Sequence, residues 1–326
     1  MDKIKWGIIG TGRIAHKFAE ALTGCEEAEL CGAASRSIGK AESFASEFGC
    51  TEAYGSYRDF AENSDAEAVY IATPMASHFN DAMLCLEHGK NVLCEKTVTL
   101  NSEQLSTLLD TAAEKGLFFM EAMWMKCRPV YLKAKEWVQS GRIGDIRFIK
   151  ADFSNTVPYD PDDRLFRPDC GGGALLDLSV YPVTLAEDFL GSPAEIVSSA
   201  HLHNGIDLSN TIIMYYPDGV YASADSGFEM PLRNNAVISG TDGMIIFGDG
   251  FFYADDITLY DKERRPVDRF SCKDRINGYE YEIEEFCRCL REGLKDSRLV
   301  PHSGTSAVMK IMDKCRSQWG LVFPQE

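Results

Sequence analysis

Apolar and polar positions follow two rhythms along this chain, and the rhythm changes near residue 122. In the first third, apolar runs at residues 4–9, 29–34, 68–72, 91–94 and 117–120 have the length of strands buried on both faces. Between them, residues 40–48, 77–88 and 102–115 carry apolar side chains at helical spacing, and Phe18, Ala19 and Leu22 line one side of a helical run after the first strand. This alternation predicts an α/β domain built on a doubly wound parallel sheet, with ligands outside the carboxyl ends of its strands. After Glu121 a helix is predicted over 130–139, and then strands dominate. Residues 146–153, 196–202, 211–216, 220–226, 236–239 and 244–247 read as strands, with hairpin turns at Pro217-Asp218-Gly219 and Gly240-Thr241-Asp242-Gly243. A large, mostly antiparallel sheet is expected there. Two helices, 279–292 and 305–319, close the chain, the second with Ser303 as its N-cap. The expected division is a Rossmann domain over 1–122 and a substrate and oligomerisation domain over 123–326.

The first strand runs directly into Gly10-Thr11-Gly12-Arg13-Ile14-Ala15, a G-x-G-x-x-A turn that opens a helix. Glycine-rich turns are common, but in this position each residue has a task. Gly10 permits the turn, Gly12 lets a pyrophosphate approach the backbone, and Ala15 packs closely on the strand. The helix N-terminus faces the anion.

Composition narrows the classes further. The 326 residues are too many for one compact core. A net charge of -17 argues against nucleic acid or an anionic membrane as partner. No apolar run reaches the length of a membrane span, and the N-terminus lacks the pattern of a signal peptide. The 11 cysteines are scattered and unpaired in pattern, as expected for reduced thiols in a cytoplasmic protein. Cys287 and Cys289 are expected to be buried on one helix. His201 and His203 share a strand face without a third ligand in view, so no metal is expected.

Candidate functional residues fall just past strand ends. The second strand ends in Ser35-Arg36-Ser37, where an NAD-preferring site carries an acidic residue. A guanidinium flanked by hydroxyls suits a 2′-phosphate, which predicts NADP over NAD; as a solvated loop charge, Arg36 would carry no such meaning. Thr73-Pro74 ends the third run, and His78 lies in the first turn of the next helix, positioned for the nicotinamide end or satisfied by solvent. Glu95-Lys96 follows the fourth run, a candidate acid–base pair in a cofactor cleft although a surface pair in most chains. Further on, Gly171-Gly172-Gly173 precedes a predicted helix over 174–189 that contains Pro182, at a cost of about 3 kcal/mol in a regular helix. Such violations concentrate at functional sites. Asp177 and Tyr181 are four apart and share one helix face, and the glycines imply close backbone approach to something.

These motifs resemble, in order and over essentially the whole chain, the glucose–fructose oxidoreductase / inositol dehydrogenase / rhizopine-catabolism (Gfo/Idh/MocA) family. The resemblance rests on Gly10 to Ala15, Ala72-Thr73-Pro74 with His78, Glu95-Lys96, Glu121-Ala122-Met123-Trp124, Gly171 to Pro182 and Ser239 to Gly243. It implies a Rossmann domain, a C-terminal α/β domain whose open sheet forms homodimer or higher oligomer contacts, and NAD(P)-dependent chemistry on sugars, polyols and related alcohols. Within the family the chain looks most like the branch of dimeric dihydrodiol dehydrogenases and NADP-dependent D-xylose dehydrogenases. In that branch Asp177 and Tyr181 match the catalytic helix, Trp124 matches the aromatic residue near substrate, and Arg36 matches the NADP preference. One departure is Thr97 where the family has Pro, in a bond often cis. A trans bond, or a strained cis bond held by ligand contacts, is expected.

The expected activity is NADP-dependent hydride transfer at a hydroxyl-bearing carbon of a sugar, polyol or trans-dihydrodiol. Lys96 and Tyr181 are equal candidates to take the hydroxyl proton, and a nearby cation favours a phenolate. Asp177 would orient the substrate, while Trp124 and Phe153 supply an apolar wall. The cofactor would contact Gly10, Thr11, Gly12, Arg13, Ile14, Ser35, Arg36, Ser37, Thr73, Pro74, His78, Glu95 and Lys96. The alternatives are reduction of an imine or other ring substrate on the same scaffold, and a non-catalytic NADP-sensing regulator.

Overall fold

A computed structural model describes residues 2–326, and the chain divides into two compact units. Among the described residues, the first comprises 2–127 and 274–302, the second 128–273 and 303–326. The expected single boundary after 122 therefore needs correction. Residues 274–302 return to the first unit although they follow the whole of the second sheet.

The first unit holds six parallel strands: β1 (Ile4–Ile9), β2 (Ala28–Ala34), β3 (Glu52–Tyr54), β4 (Ala68–Ile71), β5 (Asn91–Glu95) and β6 (Phe119–Ala122). Their order is β3-β2-β1-β4-β5-β6, so the winding reverses at β1, the place where such sheets bind nucleotides. Helices α1 (Arg13–Thr23), α2 (Ile38–Phe48), α3 (Tyr57–Asn63), α4 (His78–Glu87) and α5 (Ser102–Lys115) make the connections. The short β3 and α3 escape the sequence pattern, because three and seven residues are too few to display a period.

The second unit contains α6 (Pro129–Gln139), β7 (Ile146–Ser154), α7 (Val180–Leu190), β8 (Glu195–His203), β9 (Ile206–Tyr215), β10 (Tyr221–Gly227), β11 (Ala236–Gly240), β12 (Gly243–Phe247), β13 (Asp256–Asp261) and β14 (Pro266–Ser271). The eight strands run in the order β14-β13-β12-β11-β7-β10-β9-β8. All neighbours are antiparallel except β10 and β7. Ala222, Ala224, Ile149, Ala151, Ile212 and Met214 are buried on one face. On the other, Val197, Tyr215 and Tyr221 are exposed, and Tyr221 stands in register between Tyr215 and Phe148. The strands β13 and β14 were not expected; β14, PVDRFS, has little apolar content and is held by pairing at the sheet edge.

Helix α8 (Glu280–Arg291) explains why residues 274–302 rejoin the first unit. Its Ile283, Phe286, Cys287 and Cys289 are buried, and Phe286 packs against Trp6 of β1 and against Phe118, at 4.7 and 4.9 Å between ring centres. Helix α9 (His302–Trp319) begins before Ser303, which lies in its first turn and not at its cap. Among the described residues, no helix is long and apolar enough to cross a membrane, and the cysteines are free thiols.

Candidate active site

In the first unit the strand ends are level, which gathers the predicted residues along one rim. Ile9 pairs with Ala34 and Ile71, Ile71 with Cys94, and Glu95 with Ala122. Hence Gly10, Ser35, Thr73 and Lys96 all leave the sheet on the same side. Gly10 adopts a φ of 90°, and a Cβ there would lie 2.8 Å from the Ala72 carbonyl oxygen. The turn requires glycine on both counts. Gly12 is extended and precedes α1 with no side-chain cap, and a Cβ built on it meets no protein atom within 4 Å. The first amides of α1 are thus open to an anion, with Thr11 and Ile14 partly exposed beside them and Arg13 exposed.

At the β2 tip, Ser35 is buried and its N–H bonds the Tyr54 carbonyl of β3 at 3.0 Å. Arg36 and Ser37 project from this fixed point into solvent. Arg36 makes no ion pair among the described residues, although its charge is felt at Asp81 and Tyr57. Asp81 accepts a bond from the Thr73 hydroxyl at 2.7 Å, and burial pushes its carboxyl up to about 6. Pro74 is exposed just beyond.

His78 is not satisfied by solvent. The residue is 2% exposed, with Nδ1 2.9 Å from the Thr97 carbonyl oxygen and Nε2 2.9 Å from that of Thr73. It therefore ties the end of β4 to the segment after β5. The Lys96–Thr97 peptide there is cis and not trans. Lys96 is partly exposed, and its N–H bonds Glu95 Oε2 at 3.1 Å. Glu95 Oε1 accepts from the Tyr70 hydroxyl, and Tyr70 stacks on Phe18 of α1 at 3.6 Å. Behind Glu95 lies Glu282 of α8, which no sequence motif announced. It is fully buried, its oxygens have no hydrogen-bond partner, and burial together with the Glu95 charge holds its carboxyl far above the usual range. Trp124 stacks on Tyr279 at 4.9 Å.

In the second unit, residues 174–190 do not form the uniform helix that the sequence predicts. Leu175–Ser179 makes a π-turn, and α7 starts at Val180. Pro182 is the third residue of α7, and because the residues before it are helical from Ala174 onward, it lies inside one continuous helical segment, directly after the π-turn. Such π-turns are frequent at functional sites, and this one carries Asp177 while α7 carries Tyr181. The preceding glycines approach protein rather than open space: a Cβ on Gly172 would lie 2.6 Å from the Leu165 carbonyl oxygen, and one on Gly173 2.5 Å from Asp207 Oδ1. Asp177 is partly exposed, with Arg164 3.8 Å from its Oδ1. The Tyr181 ring packs against Phe153 at 5.6 Å and Phe252 at 4.8 Å, and Phe153 against Phe252 at 4.1 Å. Phe252 sits in the short 3-10 turn Phe251–Tyr253, outside every recognisable motif, so the sequence offered no signal for it. His201, weighed as a metal ligand, bonds Glu229 at 2.8 Å.

The chain matches two family models: the Gfo/Idh/MocA oxidoreductase family, NAD-binding Rossmann fold, over residues 4–123, and the Gfo/Idh/MocA C-terminal domain over residues 131–246. It is 32% identical to trans-1,2-dihydrobenzene-1,2-diol dehydrogenase of Xenopus tropicalis over 329 residues, covering 98% of this chain and 99% of the relative. The enzyme of that name from Mus musculus is 32% identical over 332 residues, 99% of each chain. Among solved structures, KijD10, a 3-ketoreductase from Actinomadura kijaniata in complex with NADP and TDP-benzene, superimposes with a TM-score of 0.87. It is 26% identical, over 97% of this chain and 98% of that one. With a Rossmann sheet that carries its nucleotide turn at the point of reversal, and matches along both units, this NAD(P)-binding chain belongs to the Gfo/Idh/MocA oxidoreductase family.

Proposed function

We propose that this protein is an NADP-dependent oxidoreductase acting at a hydroxyl-bearing carbon of a sugar, polyol or trans-dihydrodiol. The observation that carries the proposal is a carboxylate and a phenol, Asp177 and Tyr181, on one π-turn and helix, in a chain whose full-length relatives are named as diol dehydrogenases. When bound, the nicotinamide supplies the hydride acceptor or donor. The α1 amides, with Gly10, Thr11, Gly12, Arg13 and Ile14, would hold its pyrophosphate. Thr73, Pro74, His78, Glu95 and Lys96 belong to the rim on the nicotinamide side. Lys96 and Tyr181 are the two candidates to hold or release the substrate's hydroxyl proton, with Asp177 orienting the substrate. Phe153 and Trp124 give the substrate apolar faces.

Preference for NADP over NAD rests on Arg36, exposed at the β2 tip between Ser35 and Ser37, where a guanidinium pairs with a 2′-phosphate. The solved relative holding NADP supports the same reading. Losing a charge-assisted pair costs about 1.5–3 kcal/mol, so Ser35→Asp with Arg36→Ala is expected to weaken NADPH binding by about tenfold to a hundredfold and to reverse the cofactor preference. An unchanged NADPH-to-NADH ratio would remove Arg36 from that role. The exposed Val197, Tyr215 and Tyr221 on the outer sheet face support a homo-oligomer formed through it, and light scattering at the mass of one chain would exclude this.

The activity itself is tested by supplying NADP, and NAD in parallel, with aldoses, inositols and trans-dihydrodiols and following reduced cofactor. Turnover is expected with one class, faster with NADP. No turnover with any class, despite measurable NADPH binding, would replace the dehydrogenase by an imine or ring reductase or by a nucleotide sensor.

A further inference from the structure

The second unit buries a carboxylate that none of the functional motifs includes. Asp207, the second residue of β9, is completely buried and has no cation beside it among the described residues. A buried acid of this kind is costly unless its oxygens are well bonded. One oxygen is: Asp207 Oδ2 accepts the Leu175 backbone N–H at 2.8 Å and the Asn210 side-chain amide at 2.8 Å. Asn210 Oδ1 in turn accepts the Ser179 hydroxyl at 2.9 Å. The other oxygen, Oδ1, has no hydrogen-bond partner and lies against Gly173.

These bonds all converge on one element. Leu175 and Ser179 are the first and last residues of the π-turn that carries Asp177 and leads into Tyr181. A carboxylate at the start of a helical segment satisfies an orphan donor and complements the local dipole. Here it arrives from a strand 32 residues away in the chain. Gly173, at a φ of 116°, leaves the room for it, since any larger residue would meet Oδ1. Ala174 and Leu178 of the turn pack with Ile206 and Leu208 on either side of Asp207, together with Phe166 and Phe228. The apolar contacts seat the turn on the sheet, and the carboxylate determines its rotation.

We propose that Asp207, acting through Asn210 and Ser179, is a positioning residue that fixes the π-turn and thereby the orientation of Asp177 and Tyr181. Its catalytic consequence rests on the dehydrogenase reading above; its anchoring of the turn does not. Burial pushes the Asp207 carboxyl up to about 7, opposed by the Asn210 amide and the Leu175 N–H. The thiol of Cys315, on α9, also feels the Asp207 charge and is itself pushed up to about 12 by burial, so it stays neutral across the range concerned. Because the folded-state value lies above the ordinary 3.8, the favourable contribution of the neutral acid is complete below 3.8 and is lost as pH rises through about 7. Above that pH the folded protein holds a buried charge that a neutral isostere would not.

Two variants test this: Asp207→Asn, which keeps shape and acceptor, and Asp207→Ala, which keeps neither. Hydrogen exchange in the cofactor-free protein is expected to speed up over 175–179 in Asp207→Ala and to return toward wild type in Asp207→Asn. Thermal unfolding should show Asp207→Asn gaining stability over wild type as pH rises from about 4 to about 8. A small misplacement of reacting groups can cost about a hundredfold. On that scale kcat should fall by about a hundredfold in Asp207→Ala at nearly constant KM and return toward wild type in Asp207→Asn. Rescue of exchange and turnover together in Asp207→Asn, and of neither in Asp207→Ala, is the signature of a group kept for position. Wild-type exchange over 175–179 in Asp207→Ala overturns the anchor, and wild-type kcat with altered exchange overturns the positioning role. If wild type turns over no substrate, the dehydrogenase reading fails, and exchange alone still decides the anchor.

Discussion

Lys96→Ala is expected to lower kcat by about 10²–10⁴-fold, the range for removing a general acid or base, with NADPH affinity changed little. At 1.36 kcal/mol per tenfold, this is about 3–5 kcal/mol of transition-state stabilisation. The variant isolates the amine because the surrounding segment is held by other groups. The Lys96 N–H reaches Glu95, Glu95 is held by Tyr70, and His78 contacts the Thr97 carbonyl. These bonds do not involve the lysine amine and remain in the variant, and a thermal melt beside the assay checks that the fold is kept. Steady-state turnover on the responsive substrate class, beside NADPH binding by fluorescence, is the measurement. Undiminished kcat would leave Lys96 with no part in proton transfer, whereas lost NADPH binding would make it a cofactor ligand first.

Tyr181→Phe is expected to be as severe, about 10²–10⁴-fold in kcat at similar KM, if the phenol carries the proton. The substitution keeps the ring, and with it the packing against Phe153 and Phe252. Loss of one hydroxyl costs about 0.5–1.5 kcal/mol in stability at most, too little to unfold a domain. The two residues are separated by the pH profile: the limb of kcat against pH that belongs to the proton carrier vanishes with that residue. If they act as one unit, the double variant should be about as slow as either single one, since effects within a catalytic unit do not add. Undiminished turnover in Tyr181→Phe would exclude the phenol as acid or base.

Much of this architecture follows from residues that lie close together in the chain. The run Ile4–Ile9, the turn at Gly10 and the helix after it were legible because strand burial, positive φ and helical spacing are local properties. The placement of the first unit's candidate residues at strand ends was legible in the same way, since every strand of a parallel sheet ends on one rim. The π-turn left a partial trace, as glycines and a proline out of place around Asp177 and Tyr181. Even so, its pattern did not reveal that a π-turn would precede Pro182.

What only the tertiary structure decided depends on partners far apart in sequence. Asp207 is an ordinary polar residue in a strand until Leu175 and Asn210 meet one of its oxygens and Gly173 the other. Glu282 lies on an amphipathic helix, and only the return of α8 to the first sheet buries it beside Glu95. His78 stands in a helix first turn, where solvent is the local expectation, yet two carbonyl oxygens from separate strand ends enclose it. Phe252 gains its meaning from Phe153 and Tyr181 alone. Periodicity and turn chemistry are written residue by residue, so the elements and their order belong to the sequence. Burial and hydrogen-bond partnership arise only when distant segments pack, so the environment of each functional side chain belongs to the fold.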